Sequence, residues 1–133
     1  MNTMPSILMG AAAGAICYFA CTTLKSKLKY DDSLDAFGVH GVGGVVGAML
    51  TGVFATRAVN DMADGGPVGL IDGNVGLLAG QAVAVLVTIV YAMVVSLILL
   101  KLIDSVLGLR VEKDIEAQGL DLTQHGEDGY LFL

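Results

Sequence analysis

The residue in this chain best placed to do chemistry is an imidazole inside an otherwise uncharged apolar run. His40 stands in Phe37-Gly38-Val39-His40-Gly41-Val42-Gly43-Gly44, and a second histidine, His125, lies in Leu122-Thr-Gln-His125-Gly126-Glu127. An imidazole in a lipid-embedded helix is costly unless protein or water shields it, so its position marks a functional site. With an unperturbed pKa of about 6.5, it can accept or donate a hydrogen bond, or pass a proton, near neutral pH. Catalysis asks for more, namely a nucleophile, a base and an oxyanion donor within mutual reach. The apolar runs offer one histidine and scattered hydroxyls such as Thr51, Thr88 and Ser96, which favours transport over an enzyme. His125 has no second His or Cys nearby, so no metal site is expected there, and no motif implies a cofactor. Cys17 and Cys21, at i and i+4, face the same way but sit too far apart for a local disulfide and read as small helix-packing residues.

The elements that must hold His40 follow from composition. The 133 residues are 55% hydrophobic with mean hydropathy +0.75, and the apolar residues come in runs. Met4 to Leu24 is uncharged for about 21 residues, Ala36 to Thr56 carries only His40, and Val75 to Leu100 is uncharged for about 26, against roughly 20 needed to span a bilayer. The expected fold class is an all-α polytopic membrane protein with three transmembrane helices, about residues 4–24, 34–57 and 74–104, in a membrane region 1–107 followed by a tail 108–133. The first run lacks a basic start and a convincing cleavage site, so it reads as a retained span and not as a signal peptide.

Small residues crowd these spans: Gly10-Ala-Ala-Ala-Gly14 in the first, Gly76-Leu-Leu-Ala-Gly80 in the third, and Gly38, Gly41, Gly43, Gly44, Gly47 and Gly52 in the second. Such residues let backbones approach closely where no hydrophobic effect drives association in lipid. Read on a 3.6-residue period, Ala36, His40, Gly43 and Gly47 share one stripe of the second span. That stripe leaves room for a lumen and equally for a neighbouring helix, and spacing alone does not choose between them. Asp32 or Ser33 can cap this helix, where carboxylates favour the positive N-terminal end.

Lys25, Lys27, Lys29, Lys101, Arg110 and Lys113 flank the first loop and the tail, against a single Arg57 in the second loop. The positive-inside rule then places the first loop and C-terminus in the cytoplasm and the N-terminus outside, as a multi-pass protein of the plasma membrane. The net charge of −6 disfavours nucleic acid as a partner. The second loop, Arg57 to Asn74, reads as an irregular connection with nothing like a calcium site. In the tail, Val111 to Gln118 can form a short polar helix that Gly119 ends, and Gly126-Glu-Asp-Gly129 cannot easily continue one.

Two strings carry a resemblance. Leu28-Lys-Tyr-Asp31-Asp32-Ser-Leu-Asp35-Ala-Phe37-Gly38-Val-His40-Gly41-Val-Gly43-Gly44, followed by Leu50-Thr-Gly52-Val-Phe-Ala55, closely resembles the penultimate helix of ammonium transporters of the Amt/Mep/Rh family. Gly108-Leu-Arg110-Val, then Gly119-Leu-Asp121 and His125-Gly126-Glu127, is similar to that family's C-terminal signature. The resemblance covers essentially the whole chain, which looks like the last three helices and tail of an eleven-helix subunit.

It implies a homotrimer in complete form, with one pore per subunit lined by two histidines from two inverted repeats, His40 matching the second. The first histidine, the paired aromatic gate and the outer recruitment site belong to earlier helices, so the chain is expected to be a fragment, or part of a split transporter, that is not competent alone. His40 would contact ammonia or relay a proton, Ala36 would line the inner pore, and Asp35 would sit at the inner mouth, where a cation or a partner's arginine could pair with it. Gly38, Gly41, Gly43, Gly44 and Gly47 would pack helices. Gly108, Arg110, Gly119, Asp121, Thr123, His125, Gly126 and Glu127 would form a regulatory tail, which a phosphate on Thr123 would undock by adding about −1.5 to −2 charges beside Asp121, Glu127 and Asp128. Prokaryotic members meet the PII signalling protein on this cytoplasmic face, and ammonium or ammonia is the cargo. A competing reading is a small structural or regulatory membrane subunit that packs without conducting. A proton-carrying ring subunit would need a carboxylate in mid-membrane, and Gln81 is not ionisable.

Overall fold

A computed structural model describes residues 3–58 and 65–129 of the chain. It is all-α and carries three helices long and apolar enough to cross a membrane: Met4–Leu28, Phe37–Phe54 and Val75–Leu107, here α1, α2 and α3. The chain divides into two compact units, Met1–Ile89 and Val90–Leu133.

In the first unit, α1 begins as an α-helix over Thr3–Phe19, passes through a π-helical turn at Ala20–Leu24 and closes with the α-helical turn Lys25–Leu28. It runs on past residue 24, the expected end, because Lys25 and Lys27 extend the helix into the polar region and Lys29 caps it in the left-handed conformation (φ 53°). Within the π turn, the Thr22 hydroxyl donates to the Tyr18 carbonyl at 2.7 Å, and Ser26 donates to the Thr22 carbonyl at 2.6 Å. Such back-bonding competes with the regular ladder and accompanies its loosening here.

Helix α2 also opens with a π-helical turn, Phe37–Gly41, before continuing as an α-helix over Val42–Phe54. Asp32 caps it: one carboxylate oxygen accepts from the Ala36 N–H at 2.8 Å and the other from the Phe37 N–H at 3.0 Å. The two π turns lie against one another where α1 and α2 meet. An inserted π turn shifts the helical register by one residue. Consequently Gly38 and Gly43, five apart, both face α1, opposite Cys21 and Cys17, which are four apart.

Past α2, the chain returns to bury Gly69 against the C-terminal end of that helix, where its N–H donates to the Ala55 carbonyl at 2.7 Å. A Cβ there would lie 2.7 Å from the Gly52 carbonyl oxygen and 2.8 Å from that of Val53. This glycine is required by close approach, since its φ of −94° is open to any residue. After the 3₁₀ turn Leu70–Asp72, the Asn74 side chain accepts from the Gly76 N–H at 2.8 Å and so caps α3. Gly52 is buried where α2 meets this start of α3, and a Cβ on it would come within 2.9 Å of the Leu78 Cα. No residue of α3 is buried, so its apolar surface is available to lipid or to further helices.

In the second unit, Gly108 (φ 76°) ends α3, with its N–H on the Asp104 carbonyl at 3.2 Å and the Leu109 N–H on the Asp104 side chain at 3.1 Å. A short helix α4, Lys113–Gln118, follows, and then a π-helical turn over Asp121–His125.

Candidate functional site

The site is built where α1 and α2 close on each other. Gly38 is buried, and a Cβ on it would run into the Cys21 sulfur and stand 3.3 and 3.4 Å from the Cys21 N and Cα. One step along, a Cβ on Gly43 would lie 3.1 Å from the Cys17 sulfur, and the Cys17 thiol points at the Val39 carbonyl at 3.8 Å. Both cysteines are free thiols. With Gly38 and Gly43 committed to α1, the stripe read from a strict 3.6-residue period is altered. Gly43 leaves the histidine's side, and Gly44, four residues past His40, takes its place there with nothing within 4 Å of where its Cβ would be.

His40 itself lies in the π turn and is exposed, as are Ala36 before it and Gly44 after it. Among the described residues the imidazole has no hydrogen-bond partner, so it is not the cross-link between α1 and α2. Gly47 likewise meets nothing within 4 Å, whereas a Cβ on Gly41 would lie 3.0 Å from the ring of Phe37 on the same helix. The arrangement is thus a helix with one side closed by α1 and another left open, carrying one polar ring among small side chains.

Asp35 stands just before α2 in the left-handed region, φ 54°, unusual for a residue with a Cβ. Its N–H donates to the Asp32 carbonyl at 3.1 Å, and its own carbonyl accepts from the Val39 N–H at 2.9 Å. Its carboxylate is held by Lys25 at 2.7 Å, and the same ammonium donates to the Asp32 carbonyl at 2.6 Å. The resemblance implied a cation or a partner's arginine beside Asp35; the carboxylate's partner here is Lys25 of the same chain. The signal that could have named Lys25 is a lysine on the last turn of an apolar span, whose long stem lets the head reach outward to polar groups. Tyr30 completes the corner: its ring meets Phe37 edge to face at 5.6 Å, and its hydroxyl donates to the Ala20 carbonyl at 3.5 Å. Burial, helped by the nearby Asp32 carboxylate, pushes the Tyr30 phenol up, so it stays a neutral donor.

In the tail, Arg110 grips Glu116 through a two-pronged contact, Nη2 to Oε1 at 2.9 Å and Nε to Oε2 at 3.2 Å. That hydrogen bond, with the positive charge behind it, holds the Glu116 carboxyl below the usual range. Gly119 ends α4 at φ 96°, and its carbonyl accepts from both the Thr123 N–H (3.2 Å) and the Thr123 hydroxyl (2.8 Å). Gly126 (φ 64°) closes the following turn, where the Glu127 N–H returns to the Asp121 carbonyl at 2.9 Å. Thr123 is thereby half-buried, while Asp121, His125 and Glu127 are exposed. Arg110 and the His125-Gly126-Glu127 turn belong to the same unit, and Glu116 is the carboxylate that Arg110 holds there.

Comparison with known proteins shows the family. The model of the Ammonium Transporter Family matches residues 1–130. The chain is 43% identical over 125 residues to an ammonium transporter of Bacillus subtilis, covering 94% of this chain and 30% of that protein. It is 44% identical over 125 residues to ammonium transporter Amt1 of Archaeoglobus fulgidus, again with 94% and 30% covered. An Aquifex aeolicus ammonium transporter is 42% identical over 130 residues, 98% of this chain and 29% of the relative. The chain therefore spans about 30% of the length of these curated relatives. With its three membrane-crossing helices and a match that runs almost end to end, this chain belongs to the ammonium transporter family, a class of transporters and not of enzymes.

Proposed function

We propose that this chain supplies the final three spans and cytoplasmic tail of a subunit that moves ammonium or ammonia across the plasma membrane, and that His40 lines the conducting path. The observation that carries this reading is the exposed imidazole on the side of α2 that α1 leaves open, flanked by Ala36 and Gly44. A polar ring in a span is tolerated when it meets water or other protein, and the small neighbours leave space for a narrow aqueous lumen. Gly10, Gly14, Gly47 and Gly80 also have nothing within 4 Å of their Cβ positions, leaving backbone available for close approach by further helices.

On this reading the first loop and tail face the cytoplasm, the complete subunit forms a homotrimer, and a PII-type signalling protein meets the cytoplasmic face. The lysines of the first loop and the resemblance of the tail support that orientation. The test is a chimera in which this chain replaces the matching stretch of the Bacillus subtilis relative, reconstituted in phosphatidylcholine vesicles and assayed for methylammonium uptake. Uptake above empty vesicles by the chimera, with none from the 133-residue chain alone, is the expected result. A chimera that assembles as a trimer but conducts nothing would overturn the transport reading in favour of a packing subunit, and flux through the chain alone would overturn the need for further helices.

A further inference from the structure

We infer that Lys25 is a specificity-determining residue: its tethered ammonium occupies the carboxylate of Asp35 and the carbonyl of Asp32, so that free monovalent cations are not retained at the foot of the His40 stripe. This rests on the reading of His40 as a pore residue. The geometry supplies the logic. The Lys25 Nζ stands 2.7 Å from Asp35 Oδ1 and 2.6 Å from the Asp32 oxygen, and both side chains of the pair are partly exposed. An alkylammonium and an ammonium ion present the same kind of N–H donors, so acceptors that hold one suit the other. The Asp35 carbonyl accepts from the Val39 N–H, one residue before His40, which places the carboxylate's own residue about one helical turn from the imidazole. The Asp32 carboxylate is separately committed to the Ala36 and Phe37 N–H groups. Without Lys25, Asp35 would present an uncompensated negative charge beside the path, and the acceptor pair would take up ammonium or potassium from solution.

Two measurements test this. In the 133-residue chain, labelled at aspartate Cγ and held in phosphatidylcholine nanodiscs, ammonium chloride is titrated against a choline chloride control. The Asp35 resonance is expected to stay put in the wild type and in Lys25→Arg, and to shift saturably in Lys25→Met. Lys25→Gln, which keeps a polar head without charge, serves the same purpose should Lys25→Met fail to insert. Equal shifts in the wild type and the uncharged variant would overturn the inference.

In the chimera, Lys25→Met is expected to make methylammonium uptake sensitive to potassium, raising its apparent KM by about fivefold with kcat little changed, the scale on which one half-exposed charge pair acts. Adding Asp35→Asn should return the KM to the wild-type value, because the bare carboxylate is gone. A potassium-insensitive Lys25→Met chimera, or a double variant that stays sensitive, would contradict the role given to Lys25. Because the nanodisc titration needs no conduction, a silent chimera with the expected Asp35 shifts would refute the pore reading alone.

Discussion

Replacing Gly38 with Ala should loosen α1 from α2, and the two native cysteines report it. The added Cβ would collide with the Cys21 sulfur and stand 3.3 Å from the Cys21 N and 3.4 Å from its Cα. The sulfur can rotate away, but the backbone atoms cannot, so the helices must separate slightly. Overpacking of this kind costs about 1–3 kcal/mol, while exchanging glycine for alanine inside a helix returns up to about 1 kcal/mol. From the middle of the first range the net loss is about 1 kcal/mol, which multiplies the open fraction by roughly fivefold. The assay is maleimide labelling of the purified chain in mild micelles, resolved by mass spectrometry at each thiol. Cys17 is the cleaner reporter, because it packs at Gly43, one step away from the new methyl. Gly44→Ala is the control, since nothing lies within 4 Å of its Cβ position. Labelling of Cys17 in Gly38→Ala within twofold of the wild type, or an equal rise in the control, would refute the packing logic.

Two expectations concern the tail. Gly119→Asp puts a side chain at φ 96° and should cost about 1–3 kcal/mol of local strain, fraying the Thr123 bonds to the Gly119 carbonyl; faster amide exchange over 119–127, with insertion of the spans unchanged, checks this. Acid should slightly loosen α4 through the exposed Glu116, whose carboxyl is held below its ordinary range by Arg110. A depressed carboxylate stabilises the folded form above the usual carboxylate range and loses that contribution as pH falls through the lowered value. Tail amide exchange should therefore accelerate on acidification in the wild type, and Arg110→Gln should abolish most of that pH dependence.

Much of the fold could be read from hydropathy, because a span of about 20 apolar residues has few alternatives in lipid. The cap at Asp32 and the stop at Gly119 were likewise legible, since each rests on local chemistry within a few residues, whereas the third span runs three residues past its expected end at 104. The π turns at Ala20–Leu24 and Phe37–Gly41 were not, because no residue type demands one and a regular 3.6-residue period was assumed. That single inserted residue moved Gly43 off the histidine's side. The Lys25–Asp35 pair escaped notice for a different reason: it bridges ten positions through a loop, and its existence depends on how α1 and α2 meet. Gly69 was hidden too, because its need for glycine comes from carbonyls of α2 and not from its own φ.

The most direct measurement is methylammonium and ammonium uptake by the chimera carrying His40→Glu, made alongside a determination of its oligomeric state. If His40 lines a wet lumen, a carboxylate there is tolerated: the trimer should form and insert as before, while uptake rate or the preference for ammonium over methylammonium changes. If instead the variant fails to assemble, or assembles and transports both ions as the unsubstituted chimera does, His40 is a packing residue and not part of the path.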